Sequence, residues 1–356
     1  MTDVYLNRIA TAVPGHDVHD KFVEYAPSLL TDDRSRRLFR RMAERAQIDH
    51  RYSFVEPDPN PTALDRIGFF PRGAFPGTEA RMGFYETHAF GLASDALTAL
   101  GVPAIRAEIT HLIITTCTGF YAPGLDLQIV EHFGLGDGVE RTIVGFMGCQ
   151  AAIPALKLAG HIVRSQPAAR VLMVNLELCT IHLQETSDLQ SVLSFLIFAD
   201  GCAASLISAE PEGLQIDGFS NLVLPASRDQ IAWHIGGSGF SMWLDGAVPG
   251  TIARGLSGRG RALTGGSPTD EIDLWAVHPG GRSILDSVQD ALELDDGLLG
   301  HSREVLRTYG NMSSATVMFV LARMLAASQP DQRGCAVAFG PGLSAEAMTF
   351  RVAGRA

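Results

Sequence analysis

Apolar residues in this chain gather into runs whose spacing differs from place to place, and two of those runs match each other. Glu108–Thr115 (EITHLIIT) and Glu271–His278 (EIDLWAVH) carry apolar positions without a polar alternation, which predicts strands buried on both faces. They lie 163 residues apart, Glu108 against Glu271, and the same shift lays Ser165-Gln166-Pro167 on Ser328-Gln329-Pro330 and Arg170 on Arg333. In both places a helix-like run of small and apolar residues ends at the Ser-Gln-Pro, because proline disfavours helical geometry in the residue before it. A strand pattern follows each, RVLMVNLE in one and RGCAVAFG in the other. The pattern predicts a duplicated α/β unit whose halves pack about a pseudo-twofold axis. A further helical pattern runs from Thr78 to Leu100 with Thr78 as its cap. The N-terminal hundred residues, the Pro/Gly-rich Pro57–Gly77 and the Gly/Arg-rich Gly255–Ser267 fall outside the repeat and read as additions and loops.

The shift also sets Cys149, in GFMGCQAA, on Met312, the neighbour of Asn311, so both stand where the chain turns into a long buried helix. His278 ends its own strand, and sites in α/β sheets form beyond the carboxyl ends of strands. Cys149, His278 and Asn311 are therefore expected to meet. Taken singly, each has an ordinary structural reading: a buried thiol, a strand-end histidine, a helix cap. Taken together they allow a thiolate, its pKa lowered by a helix N-terminus and by an imidazole, to act as a nucleophile.

Composition narrows the class. With 356 residues, 46% hydrophobic and 19% charged, the chain has material for a large core. No secretory-type leader and no membrane-length apolar window is present, so a soluble cytoplasmic protein with no membrane span is expected. The five cysteines show no CxxC spacing, which argues against a disulfide framework and against a metal site. A net charge of -11 repels nucleic acid, so an anionic ligand needs a local cationic patch. Arg34, Arg37, Arg41 and Arg45 supply one at helical spacing.

GFMGCQAA, FADGCAA (Phe198–Ala204), WAVHPGG (Trp275–Gly281), YGNMSSA (Tyr309–Ala315) and AFGPGLS (Ala338–Ser344) stand in the order found in type III polyketide synthases, the chalcone synthase-like enzymes, and the resemblance spans essentially the whole chain. It implies the thiolase fold: duplicated α/β halves in an α-β-α-β-α layering, residues 1–212 carrying the cysteine and 213–356 the histidine and asparagine, in a homodimer. It implies an acyltransferase with acyl-CoA and malonyl-CoA as substrates and no cofactor. By this resemblance Cys149 carries the acyl chain as a thioester, and His278 and Asn311 stabilise the enolate left when malonyl-CoA loses carbon dioxide. Phe198 resembles the gatekeeping aromatic, and Gly340-Pro341-Gly342 the cavity wall. Arg41 and Arg45 fall on coenzyme A-binding positions; a third such position is Leu38, so Arg37 is the substitute contact, with a backbone contact near Ser283.

Several cavity positions depart from the plant-type pattern. Cys117 replaces the threonine of the cyclisation network, whose other members are Glu177 and Ser313; a thiol is a weak donor. Ala122 stands for the residue that reaches into the partner's cavity, and His182 and Met242 replace a threonine and a phenylalanine. ELCTIHL (Glu177–Leu183) and Phe69-Phe70-Pro71 resemble bacterial members that take fatty acyl or short acyl starters, and this resemblance implies an aliphatic acyl starter, extended by malonyl-CoA and closed to an aromatic ring of resorcinol or phloroglucinol type or to a pyrone. A single-condensation β-ketoacyl-acyl carrier protein synthase of the initiating type, a Cys-His-Asn hydrolase and a non-catalytic scaffold remain alternatives on the sequence alone.

Overall fold

A computed structural model describes residues 2–354. The chain begins β1 (Tyr5–Ala12), β2 (His16–Asp17), α1 (His19–Tyr25), α2 (Asp33–Ala46), β3 (Tyr52–Ser53), α3 (Thr78–Leu100) and α4 (Val102–Ile105). It continues β4 (His111–Thr116), α5 (Leu125–Phe133), β5 (Glu140–Gly145), α6 (Ala152–Ser165), β6 (Val171–Leu178), α7 (Leu189–Phe195) and β7 (Asp200–Ser208). Then come β8 (Leu214–Val223), β9 (Ile231–Gly236), β10 (Gly239–Leu244), α8 (Val248–Leu256), α9 (Gly260–Leu263) and β11 (Leu274–Val277). The last elements are α10 (Arg282–Leu292), α11 (Gly300–Tyr309), α12 (Thr316–Ala327), β12 (Arg333–Gly340) and β13 (Ser344–Val352).

Nine strands form one sheet in the order β5-β4-β6-β7-β1-β8-β13-β12-β11. β4 and β11 start 163 residues apart, at His111 and Leu274, and each pairs in parallel with the strand after its half's Ser-Gln-Pro, β6 or β12. Read from the centre outward, β1-β7-β6-β4 and β8-β13-β12-β11 follow the same order, and β5 has no counterpart in the second half. The halves join narrowly, through Tyr5↔Gln215 and Leu6↔Leu214.

The layers follow from the period-2 alternation hidden inside the all-apolar strands. On β6, Val171 and Met173 face one core while Leu172, Val174 and Leu176 face another. On β12, Ala336 and Ala338 share the first of these cores, whereas Cys335, Val337 and Phe339 face a third. The shared central core holds α6 (Ile153, Leu156, Ala159, Val163) and α12 (Val317, Met318, Val320, Leu321, Met324). α3 and α5 cover the outer face of the N-terminal half-sheet, and α8, α10 and α11 that of the C-terminal one. This is the thiolase-type α-β-α-β-α stack with duplicated halves.

Three expectations change. α3 is capped by Gly77, not Thr78, whose hydroxyl instead accepts from Gly239 N–H (2.9 Å) and donates to the Gly236 carbonyl, pinning the β9–β10 hairpin. The N-terminal stretch is more than an addition, since β1 lies mid-sheet between β7 and β8; its polar Asn7 and Arg8 hid it from a search for continuous apolar runs. Part of Gly255–Ser267 is the short α9, with Leu263 buried.

Leu156→Ala removes a side chain with no solvent exposure from the central core. It should lower stability by about 2–5 kcal/mol. Equilibrium denaturant unfolding checks this, as a lower midpoint at unchanged slope.

Candidate active site

Cys149, His278 and Asn311 come from three separate turns and line one cavity. After β5, Phe146 (φ 60°) and Gly148 (φ 69°) bend the chain, and Cys149 sits in the single 3-10 turn Gly148–Gln150 just before α6. Only glycine suits position 148: a Cβ there would lie 2.5 Å from Cδ of Pro341, besides the strained φ. A Cβ on Gly340 would likewise strike the Gln150 side chain, which accepts from Ser344 Oγ at 2.9 Å. The AFGPGLS loop thus packs directly on the cysteine's turn.

His278 stays paired to β12, its N–H donating to Val337 O at 2.7 Å, and the Pro279-Gly280-Gly281 turn leads into α10. Asn311 is held by backbone bonds on both sides: its N–H donates to Ile197 O (2.7 Å) and its carbonyl accepts from Ala199 N–H (2.9 Å). Oδ1 accepts from Ser313 N–H at 2.9 Å, which fixes the amide orientation and leaves Nδ2 as the group available to a substrate. FADGCAA serves the same turn, because a Cβ on Gly201 would lie 2.3 Å from Sδ of Met312.

Cys149 is half-buried, and its thiol lies 4.0 Å from Asn311 Oδ1. The expectation of a lowered thiol pKa is corrected. Burial pushes it up to about 11, against the pull of hydrogen bonds from Ser313 and Asn311, and the Glu177 charge pushes the same way. Burial takes His278 down to about 3, and neither of its ring nitrogens has a hydrogen-bond partner. In both groups burial favours the neutral form, thiol and imidazole.

Met242, Gly340 and Pro341 line the cavity as expected, as do Cys117 and Ser313. Phe198 stands in its wall and in the wall of a second cavity. Gly342 does not line the cavity; its N–H donates to Ile231 O at 3.1 Å and ties the loop to β9. His182 is not wall but backing. Fully buried, it donates from Nε2 to Thr118 O (2.7 Å), accepts at Nδ1 from Phe240 N–H (3.1 Å), and stacks on the Phe240 ring at 4.3 Å. Ala122 is exposed and outside the chain's own cavity.

The network about Glu177 differs from expectation. Its carboxylate accepts from Ser314 Oγ (2.6 Å), Thr118 Oγ1 (2.8 Å) and the Cys117 N–H (2.9 Å), so Ser314 and Thr118 supply the hydroxyls that Ser313 and the Cys117 side chain do not. The Cys117 thiol instead accepts the Gly148 N–H at 3.1 Å. Ser313 has φ 47°, which turns it toward the cavity.

Leu244, Val248, Gly280 and Ile284 line both the cavity and an adjoining wide surface groove, in which Arg45, Arg282 and Ser283 stand. Arg37 and Arg41 are exposed on α2 but outside the groove lining. Arg282, which donates to the Arg45 carbonyl (3.3 Å), went unnoticed in the sequence, although it adjoins Ser283 and adds a cation. Cys179, Trp233 and Ile252 also line the cavity without having been singled out; nothing in their local pattern separates them from core.

The sequence matches the family models described as chalcone and stilbene synthases, N-terminal domain, over residues 6–211 and C-terminal domain over residues 215–353. The chain belongs to the chalcone and stilbene synthase family. It is a type III polyketide synthase, an acyl-transferring condensing enzyme that uses malonyl-CoA. Among similar proteins, the alpha-pyrone synthesis polyketide synthase-like Pks18 of Mycobacterium tuberculosis is 32% identical over 99% of this chain and 92% of its own. The 1,3,6,8-tetrahydroxynaphthalene synthase of Streptomyces peucetius is 33% identical over 72% of this chain and 71% of its own. Among solved structures, the C-terminal type III domain of Steely1 from Dictyostelium superposes with a TM-score of 0.89 at 24% identity, covering 99% of both chains. The tetrahydroxynaphthalene synthase of Streptomyces coelicolor gives 0.86 at 26% identity, covering 99% of this chain and all of the other. Among the described residues of this polyketide synthase, no helix is long and apolar enough to cross a membrane, and no group of three or more His, Cys, Asp or Glu is placed to hold a metal ion.

Burial raises Glu177 from 4.5 to about 7. A carboxyl whose pKa is raised by folding adds stability that is full below its unfolded value and lost as pH climbs through the folded one. Glu177→Gln removes this titration, so the melting temperature of the variant minus that of the parent should rise between about pH 5 and about pH 8. Parallel curves would remove the shifted carboxyl from the account.

Proposed function

We propose that this enzyme loads an acyl-CoA starter on Cys149, extends it by repeated decarboxylative condensation with malonyl-CoA, and closes the chain to an aromatic or pyrone product. The observation that carries this reading is the single cavity on which Cys149, His278 and Asn311 converge, adjoining a groove with two arginines. In loading, the thiol proton passes to His278 as sulfur attacks the starter thioester; CoA leaves as a thiolate and takes up that proton. The transfer suits two groups that each resist a lone charge, because the cavity's net charge never changes. In extension, the bond from the malonyl carboxylate to its α-carbon breaks, carbon dioxide leaves, and the electron pair becomes a thioester enolate. A neutral imidazole N–H and the Asn311 amide donate to its oxygen. The carbanion then attacks the Cys149 thioester and expels the cysteine sulfur, and the lengthened chain is transferred back for the next round.

Arg45, Arg282 and Ser283 are our candidates for holding the coenzyme A phosphates, with Arg37 and Arg41 drawing the anion toward the groove. An aliphatic starter is favoured by the walls, which include Ile231, Trp233, Met242, Leu244, Val248 and Ile252. Residues 1–212 and 213–356 serve as the two halves that bring cysteine against histidine and asparagine. A homodimer is supported by β5, an edge strand with Ile143 47% exposed, and by Phe120, 40% exposed beside it. Ala122 lies on the same loop as Phe120, so a partner docked on this edge would receive it.

Mass spectrometry after incubation with acyl-CoA should find the acyl group on Cys149, and Asn311→Ala should cut carbon dioxide release from malonyl-CoA about 100-fold. An unmodified Cys149 sinks the loading step; undiminished release removes Asn311 from the extension step. With a panel of acyl-CoA starters, turnover should favour aliphatic over aromatic acyl groups, and Ala122→Phe should shorten the accepted starter or product. An unchanged profile would mean that Ala122 reaches no cavity, its own or a partner's.

A further inference from the structure

Arg51 is 2% exposed, yet its guanidinium bonds to no carboxylate. Nη1 donates to the carbonyls of Phe195 (2.9 Å) and Phe198 (2.7 Å), and Nε donates to His19 Nδ1 (3.0 Å). The guanidinium also lies 5.0 Å from the centre of the Phe22 ring, and Nη2 is buried without a partner. Burial lowers His19 to about 4 and Arg51 to about 10, so near neutral pH the imidazole is a neutral acceptor while the guanidinium keeps its charge. The charges of Asp17 and Asp200 offset part of the cost of burying this cation, but neither carboxylate bonds the guanidinium. Both Nη1 bonds go instead to the backbone of one short segment, the one that carries the Phe198 ring.

The same side chain touches the turn that holds Asn311. A Cβ on Gly310 would lie 2.8 Å from Arg51 Cγ and 2.8 Å from Ile197 O, so Arg51, the Ile197 segment and the 310 turn are in mutual contact. Asn311 is itself bridged to that segment through Ile197 O and Ala199 N–H. Behind Phe198 the second cavity, also walled by Arg51, Phe22 and Phe195, leaves space into which the segment could withdraw.

We propose that Arg51 is a positioning residue for the condensation: by clamping the carbonyls of Phe195 and Phe198 it holds the ring between the two cavities and, through the bridged strand, the Asn311 amide in working register. This rests on the reading of Asn311 as a donor to the enolate. Arg51 is not in the wall of the Cys149 cavity, and the cysteine's turn is anchored elsewhere, on Pro341 and, through Gln150, on Gly340 and Ser344. Its loss should therefore weaken decarboxylation more than acylation.

The test compares Arg51→Met and Arg51→Lys with the parent enzyme and with Asn311→Ala. The readouts are acylation of Cys149 by an acyl-CoA, followed by mass spectrometry, and kcat and KM for carbon dioxide release from malonyl-CoA. Arg51→Met should acylate within about threefold of the parent but lose about tenfold or more in kcat for decarboxylation, with KM changed less than about threefold. Arg51→Lys, which can reach one carbonyl but cannot fork to both, should fall between. Decarboxylation within about threefold of the parent in Arg51→Met overturns the proposal. So does an equal fall of both activities in the two variants, the mark of a merely structural role. If Arg51→Met does not fold, Arg51→Lys decides, and parental decarboxylation there overturns the proposal. Asn311→Ala separates the two claims: if it still decarboxylates, the reading of Asn311 fails and this one with it, whereas if it does not and the Arg51 variants do, only the Arg51 clamp fails.

Discussion

Burial of α6 and α12 between two half-sheets constrains everything else in this protein. Both helices lose all contact with water along their core faces, where Leu156, Ala159, Met318 and Leu321 have no exposure. Neither can slide without opening voids on two sheets at once, since close-packed interiors resist small displacements. The turns that precede them are therefore fixed points. One carries Cys149 and the other Asn311, so the packing of two apolar rods sets the relation between two polar groups. The narrow joint at Tyr5 and Leu6 tolerates this because the central core, more than the strand pairing, unites the halves.

Local chemistry is then tuned by close approach of backbone and side chain. Glycines at 148, 201 and 340 admit Pro341, Met312 and Gln150 to distances a Cβ would forbid. The polar groups behind the cavity are spoken for, Glu177 by three donors and His182 by two backbone groups, and in its wall Asn311 Oδ1 is held by Ser313. His278, in the same wall, has both ring nitrogens unpaired. An unpaired buried imidazole costs stability, and such a cost persists where function draws on it.

Much of this was legible in the sequence because the repeat is a long-range signal. Strands at His111 and Leu274, helices ending at the two Ser-Gln-Pro sites and the meeting of Cys149, His278 and Asn311 all follow from register, which a duplicated fold preserves. Other features depend on what lies across the chain and leave no mark at their own position. Whether Ser313 or Ser314 bonds Glu177 is decided by the positive φ at Ser313, which turns one hydroxyl to the cavity and the next to the carboxylate. His182 read as wall because it falls on a cavity position of the plant-type pattern; only the Phe240 ring, from a distant hairpin, shows that it is backing. Helical spacing put Arg37, Arg41 and Arg45 on one stripe, yet the groove meets only the end of α2. Cys149 illustrates competition between two effects: the helix start was visible, and the burial that outweighs it was not.

The burial of Cys149 has a consequence for the enzyme's durability. Alkylation and peroxide oxidation both act on thiolate, the form that burial disfavours here. On the proposed loading role, a sulfur facing a largely apolar chamber keeps its proton until an acyl carbonyl arrives, a nucleophile in storage. The burial that disfavours reaction with stray electrophiles would then reserve Cys149 for a partner able to bring its own carbonyl into the chamber.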